Sequence, residues 1–93
     1  MRRLRVQWRA AALRDLQEYY NWLKTIEDAN PARVVRRIRS AANSMRRLGD
    51  IGRPGGIPGT RELSVRNEPY VIVYVIDEGV ADILAVYHTS QSR

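Results

Sequence analysis

Tyr70-Val71-Ile72-Val73-Tyr74-Val75-Ile76-Asp77-Glu78-Gly79-Val80-Ala81-Asp82-Ile83-Leu84-Ala85-Val86-Tyr87-His88 is the stretch whose reading decides the fold. Residues 70–76 are apolar at successive positions and rich in β-branched side chains. Such a run needs cover on both faces, so it is expected to be a central strand. Residues 80–88 read in the same way, and Asp77-Glu78-Gly79 makes a tight turn between the two.

Working outward, residues 61–65 alternate, with Leu63 and Val65 to one side, and read as another strand. Residues 66–69 turn the chain between it and the 70–76 run. Residues 49–60 hold five glycines and two prolines, which cannot sustain a regular element, and are expected to form a loop. The helix before that loop is well punctuated. Asn30 suits the N-cap, Pro31 the first helical position and Gly49 the C-terminal cap. Between them Val34, Ile38, Ala41 or Ala42, Met45 and Leu48 form an apolar stripe. An earlier helix is expected over 10–26, with Leu13, Leu16, Tyr20 and Leu23 as its apolar stripe. Arg14, Asp15, Gln17, Glu18, Asn21 and Lys24 fill its opposite face, and no good N-cap residue marks its start. Only residues 27–29 separate the helices, so they should pack as an antiparallel hairpin. At the front, Leu4, Val6 and Trp8 alternate with Arg5 and Gln7 as a short strand. The order β-α-α-β-β-β predicts an α+β fold: a helical hairpin packed on one face of a small, mostly antiparallel sheet. Residues 1–93 are expected to form one domain, with no repeat or low-complexity tract.

The chain has 93 residues, 44% hydrophobic and 28% charged, which supports one hydrophobic core and gives no expectation of disorder. It has no cysteine, which excludes disulfides, a thiolate metal site and a cysteine nucleophile. No group of His, Asp and Glu has metal-ligand spacing, so neither metal nor cofactor is expected. Gln7 and Arg9 interrupt the basic start before any signal-peptide core, and no apolar run is long enough to span a membrane; a cytoplasmic location is expected. The formal net charge is +6, and of the 16 basic residues only Lys24 is lysine. Arginine's planar fork matches carboxylates and phosphates, so the expected partner is anionic: nucleic acid or an acidic protein segment. High-GC coding bias also favours arginine.

Four local patterns, spanning nearly the whole chain in order, resemble the RelE/ParE superfamily of toxins from type II toxin–antitoxin systems. They are the opening strand with Ala12-Leu13-Arg14-Asp15-Leu16 and Tyr19-Tyr20; the loop Gly52-Arg53-Pro54-Gly55-Gly56-Ile57-Pro58-Gly59-Thr60 leading into Arg61-Glu62-Leu63; Pro69-Tyr70-Val71-Ile72-Val73-Tyr74; and Ile83-Leu84-Ala85-Val86-Tyr87-His88. The resemblance implies a cognate antitoxin whose C-terminal segment wraps the toxin, in a toxin–antitoxin hetero-oligomer. Operator DNA would be met only through the antitoxin.

The superfamily holds two activities, and fold does not choose between them. RelE-like members cut mRNA in the ribosomal A site; ParE-like members bind DNA gyrase and trap it on DNA, with no chemistry of their own. RNA cleavage needs a proton acceptor, a proton donor and cations at the developing phosphorane charge. RelE-like nucleases bring basic residues and a C-terminal His or Tyr onto the open face of the sheet. The counterparts here would be Arg61, Tyr87 and His88. Val71 stands where an arginine commonly follows the first tyrosine of that strand, and no lysine follows Lys24. The resemblance therefore favours a ParE-like gyrase poison that arrests growth without catalysis. The alternatives are a metal-independent, ribosome-dependent mRNA endoribonuclease and an inactive antitoxin-binding member.

The partner-binding candidates are Arg33, Arg36, Arg37, Arg53, Arg61 and Trp22. Arg61 reads either as a contact to a target phosphate or carboxylate, or as a surface pair with Glu62 or Glu68. His88 reads either as an acid/base or partner-contacting group, or as a polar strand end facing water. The arginines of the second helix read either as a contact surface or as a solvated helix face. Tyr20, Tyr70 and Tyr74 read first as core, and Trp8 and Trp22 as core or antitoxin contacts. The Gly/Pro loop lacks a Gly-Lys-Ser/Thr ending and does not run from a strand into a helix, so it is no phosphate cradle.

Overall fold

A computed structural model describes residues 3–90; Met1-Arg2 and the end of the 89–93 tail lie outside the described residues. The elements are β1 (Arg5–Trp8), α1 (Ala10–Leu23), α2 (Pro31–Asn43), α3 (Met45–Leu48), β2 (Arg53–Pro54), β3 (Arg61–Ser64), β4 (Tyr70–Asp77) and β5 (Val80–His88). Their sheet order is β1-β5-β4-β3-β2, with β1 parallel to β5 and every other pairing antiparallel. The helices pack on one face of this five-stranded sheet. No helix among the described residues is long and apolar enough to cross a membrane.

The hairpin of the two apolar runs forms as read, and β4 is central, between β3 and β5. Its turn places Glu78 at φ 49° and Gly79 at φ 80°, the paired left-handed residues that match strand twist in a two-residue hairpin. Tyr70, Ile72 and Tyr74 point from β4 into the core beneath the helices. From β5, Ala81, Ile83 and Val86 do the same. Ile83 and Val86 are three apart, which strict alternation forbids; a register shift opposite Val73 and Tyr74 leaves Leu84 as an extra residue and restores both to the core face.

The loop expected over 49–60 is not wholly irregular. Arg53 and Pro54 pair with Glu62 and Arg61 as an edge strand. Proline is tolerated there because an edge strand has one side with no ladder to donate to. The second helix begins as read, with Asn30 Oδ1 accepting from Arg33 N at 3.1 Å, and Val34, Ile38, Ala42 and Met45 are buried. It is divided at Ser44, which keeps helical dihedrals of −61° and −23°, and ends at Gly49 with φ 78°.

The first helix departs more from expectation. It stops at Leu23, where Thr25 N and Ile26 N bond to Trp22 O and Leu23 O in a tighter turn. Its buried residues are Ala12, Leu16 and Leu23, with Tyr19 packed against them, while Leu13 is 41% exposed and Tyr20 half-buried. The helix is thus rotated from the leucine-and-tyrosine stripe towards Asp15 and Tyr19. The cause lies in the sheet. β1 covers β5 only as far as Ile83, so the rest of that edge needs partners. Asp15 Oδ2 accepts from Val86 N and Tyr19 OH from His88 N, both at 2.9 Å. Two side chains one helical turn apart finish the edge that β1 leaves open.

Candidate functional site

The Gly/Pro segment is fastened to the sheet by two groups of polar contacts, one on each face. On the helix side, Arg61 lies opposite Tyr74 across β3 and β4. Its Nη2 donates to Gly52 O at 2.8 Å and its Nε reaches Asp50 at 3.2 Å. The Tyr74 hydroxyl donates to Asp50 Oδ1 at 2.5 Å and accepts from Gly52 N at 2.9 Å. Burial, then the bond to Asp50, pushes the Tyr74 phenol up to about 12. A Cβ on Gly52 would meet the Tyr74 hydroxyl at 2.3 Å and Glu62 O at 2.5 Å, so only glycine fits.

On the face turned away from the helices, Arg53 lies opposite Glu62, which lies opposite Val73. Arg53 donates to Ser64 Oγ at 2.8 Å and meets Glu62 Oε1 at 3.4 Å. Tyr87 OH reaches the same Glu62 oxygen at 3.2 Å, and Gly56 N reaches its other oxygen at 3.4 Å. Glu62 therefore ties both the loop and the C-terminal tyrosine to β3.

At the far end of the helix side, His88 lies opposite Tyr70. Its ring is edge-on to Tyr70 at 5.1 Å and to Trp22 at 6.0 Å, and Tyr19 meets Tyr70 at 5.0 Å. Ser90 N donates to His88 Nδ1 at 3.1 Å. Burial raises the phenols of Tyr19 and Tyr70 above their ordinary value. Trp22 covers this cluster yet is 48% exposed.

The three residues a nuclease would use are thus not brought together. Arg61 and His88 share the helix side, not the open face, and stand four β4 positions apart, about 13 Å along a strand. Tyr87 lies on the opposite face, held by Glu62. Arg61 pairs with Asp50, and Glu68 is taken instead by Arg37 at 2.7 Å. Arg33 and Arg36 stand exposed on α2, and Arg53 is engaged as described. Among the described residues no three His, Cys, Asp or Glu side chains come close enough to hold a metal.

Between α1 and α2 lies a groove of about 240 Å³, lined by Leu13, Leu16, Gln17, Tyr20, Val35 and Arg39. The sequence reading missed Asp50, Glu62 and Ser64 as the partners of Arg53, Arg61, Tyr74 and Tyr87. Glu62 follows Arg61 directly, but only strand pairing reveals that the two serve opposite faces.

Helices packed on one face of a five-stranded mixed sheet match the architecture of solved RelE/ParE-type toxins. The family model described as ParE toxin of type II toxin–antitoxin system, parDE, matches residues 6–93, and the chain belongs to that family. It is 40% identical over 91 residues to a Sinorhizobium fredii (strain NBRC 101917 / NGR234) protein named "Putative toxin Y4kP", covering 98% of this chain and 94% of that one. Among solved structures, the chromosomal ParDE system of P. aeruginosa superposes with a TM-score of 0.83 at 19% identity, over 91% of this chain and 95% of that one. The RelBE2 toxin–antitoxin complex of Mycobacterium tuberculosis gives a TM-score of 0.67 at 24% identity, over 98% and 97%. The Staphylococcus aureus YoeB dimer gives 0.59 at 18%, over 92% and 98%. The chain is a type II toxin–antitoxin toxin of the ParE/RelE superfamily.

Proposed function

We propose that this toxin arrests growth in the ParE manner, by binding DNA gyrase in the cytoplasm and trapping it on DNA, without catalysis of its own. A cognate antitoxin neutralises it. The observation that supports this reading is the separation of Arg61, Tyr87 and His88. Ribonuclease chemistry needs donor, acceptor and phosphate-stabilising cation around one phosphorus, with heavy atoms within hydrogen-bond reach. Here Arg61 is committed to Asp50 and Gly52, Tyr87 lies behind the sheet, and Val71 is buried where an arginine would be needed. Rotamer changes do not move side chains through a sheet. The groove between α1 and α2, where Leu13 and Tyr20 sit beside Gln17 and Arg39, is the antitoxin seat this reading favours, with exposed Trp22 on the opposite flank of α1 as a separate contact. Exposed apolar surface of this kind suits an amphipathic segment.

The test mixes purified toxin with DNA gyrase, ATP and relaxed plasmid. Lost supercoiling or trapped cleaved DNA, reversed by the cognate antitoxin, is expected. Absence of any effect at micromolar toxin, in a preparation that still binds antitoxin, rules the reading out. It would direct attention to ribosome-bound mRNA, where Arg61→Ala or His88→Ala would lower cleavage by orders of magnitude.

A further inference from the structure

Residues 31–48, which form α2 and α3, carry six arginines and no aspartate or glutamate. Helical spacing sorts the arginines onto three flanks. Arg37 turns to one side and bridges to Glu68, and Arg39 turns to the other, over the Trp8 ring and beside the groove. Between them Arg33, Arg36, Ser40, Asn43 and Arg47 are exposed along one line down the outer face. At 1.5 Å per residue that line runs about 20 Å, because Ser44 keeps helical dihedrals between α2 and α3. No carboxylate pairs with Arg33, Arg36 or Arg47 among the described residues.

A face built only for solubility would interleave acids. This one sets Arg33 against Arg36 and Arg37, and Arg36 against Arg39, at helical spacings where like charges destabilise. It also places Arg33 in the first turn, at the positive end of the helix dipole, with no acid beside it. The arrangement works against helix stability, which points to selection for something else.

We infer that the outer face of α2 and α3 is a contact surface for the phosphate backbone of duplex DNA, with Arg33, Arg36 and Arg47 as cationic contacts and Ser40 and Asn43 as neutral donors. Protein interfaces have an aromatic or apolar centre and few charges there. This face has neither Trp, Tyr, Leu nor Ile; Leu13, Leu16, Tyr20 and Val35 lie round the helix, in the groove. Interfaces with DNA are polar, arginine-rich and dominated by phosphate contacts from such side chains. Single strands are held largely by stacking on aromatics, which this face lacks. The surface departs from the expectation that this toxin meets DNA only through its antitoxin, and it does not depend on gyrase being the target.

The test is fluorescence anisotropy of purified toxin on a labelled 24-base-pair duplex of unrelated sequence, titrated between about 50 and 200 mM salt. Binding in the micromolar range is expected. The combined Arg33→Gln, Arg36→Gln and Arg47→Gln variant should bind at least about tenfold more weakly and flatten the log–log salt slope by about 3. The variant Arg5→Gln, Arg14→Gln, Arg66→Gln, which removes equal charge from other surfaces, should keep the slope. The Arg33→Lys, Arg36→Lys, Arg47→Lys variant should also keep it, and serves if the glutamine variant fails to fold. Equal losses in the two glutamine variants would overturn the inference, as would tighter binding to single-stranded RNA of the same length. So would retained DNA binding with lost antitoxin affinity, which would make the face a seat for an acidic protein segment.

Discussion

Replacing Tyr74 by phenylalanine removes one oxygen atom from the clasp that holds the Gly/Pro segment to the sheet. The ring stays where it is, fully buried under the helices. Two hydrogen bonds go: the one donated to Asp50 and the one accepted from Gly52 N. Asp50 is exposed and recovers water more readily than the half-buried Gly52 N–H. Stranding a donor of that kind costs about 1–3 kcal/mol. For a domain of this size each kcal/mol lowers Tm by roughly 4–8 °C, so a fall on the order of 10 °C is expected. The pH dependence gives a second, independent reading. The unfolded phenol ionises near 10 and the native one at about 12. The stabilisation tied to the neutral phenol is therefore complete below pH 10 and is lost as pH rises through 12. By pH 11 the native protein has lost about 1.4 kcal/mol through this group, a loss the phenylalanine variant cannot suffer. Urea unfolding of both proteins at pH 8 and pH 11 measures each quantity. A variant within about 0.5 kcal/mol of the parent at pH 8, or a gap that does not narrow by pH 11, refutes the clasp as described.

Gly52→Ala should destabilise by more than about 2 kcal/mol in the same assay, because Glu62 O is backbone in a paired strand and cannot withdraw. Asp15→Ala strands Val86 N at the β5 edge and should cost about 1–2 kcal/mol; amide hydrogen exchange at Val86 should accelerate, while exchange on β4 follows global unfolding. Trp22→Ala, at a half-exposed site, should change stability by less than about 1 kcal/mol while weakening antitoxin binding at least tenfold in calorimetric titration. A Trp22→Ala chain that binds antitoxin unchanged would remove Trp22 from the interface.

Much of the fold was legible because it rests on local signals. The hairpin of residues 70–88 follows from two apolar β-branched runs with Asp-Glu-Gly between them, and Asn30, Pro31 and Gly49 punctuate the second helix through backbone chemistry that needs no distant partner. The first helix was legible as a helix but not in its rotation. Leu13 outranks Asp15 on hydrophobicity and Tyr20 equals Tyr19, yet the unfilled β5 edge turns Asp15 and Tyr19 inward. Hydrophobic periodicity cannot register that demand, since it arises only once β1 has paired with β5 and stopped short.

The candidate site divides in the same way. Which residues are able to carry charge or move protons was plain from composition: one histidine, no cysteine, and arginine almost to the exclusion of lysine. Whether they meet was decided only by strand register. Neighbours in sequence point to opposite faces of a sheet, so Tyr87 and His88 part company although they are adjacent, and so do Arg61 and Glu62. Chain order determines which groups exist and which elements hold them; pairing across the sheet determines which face each one serves.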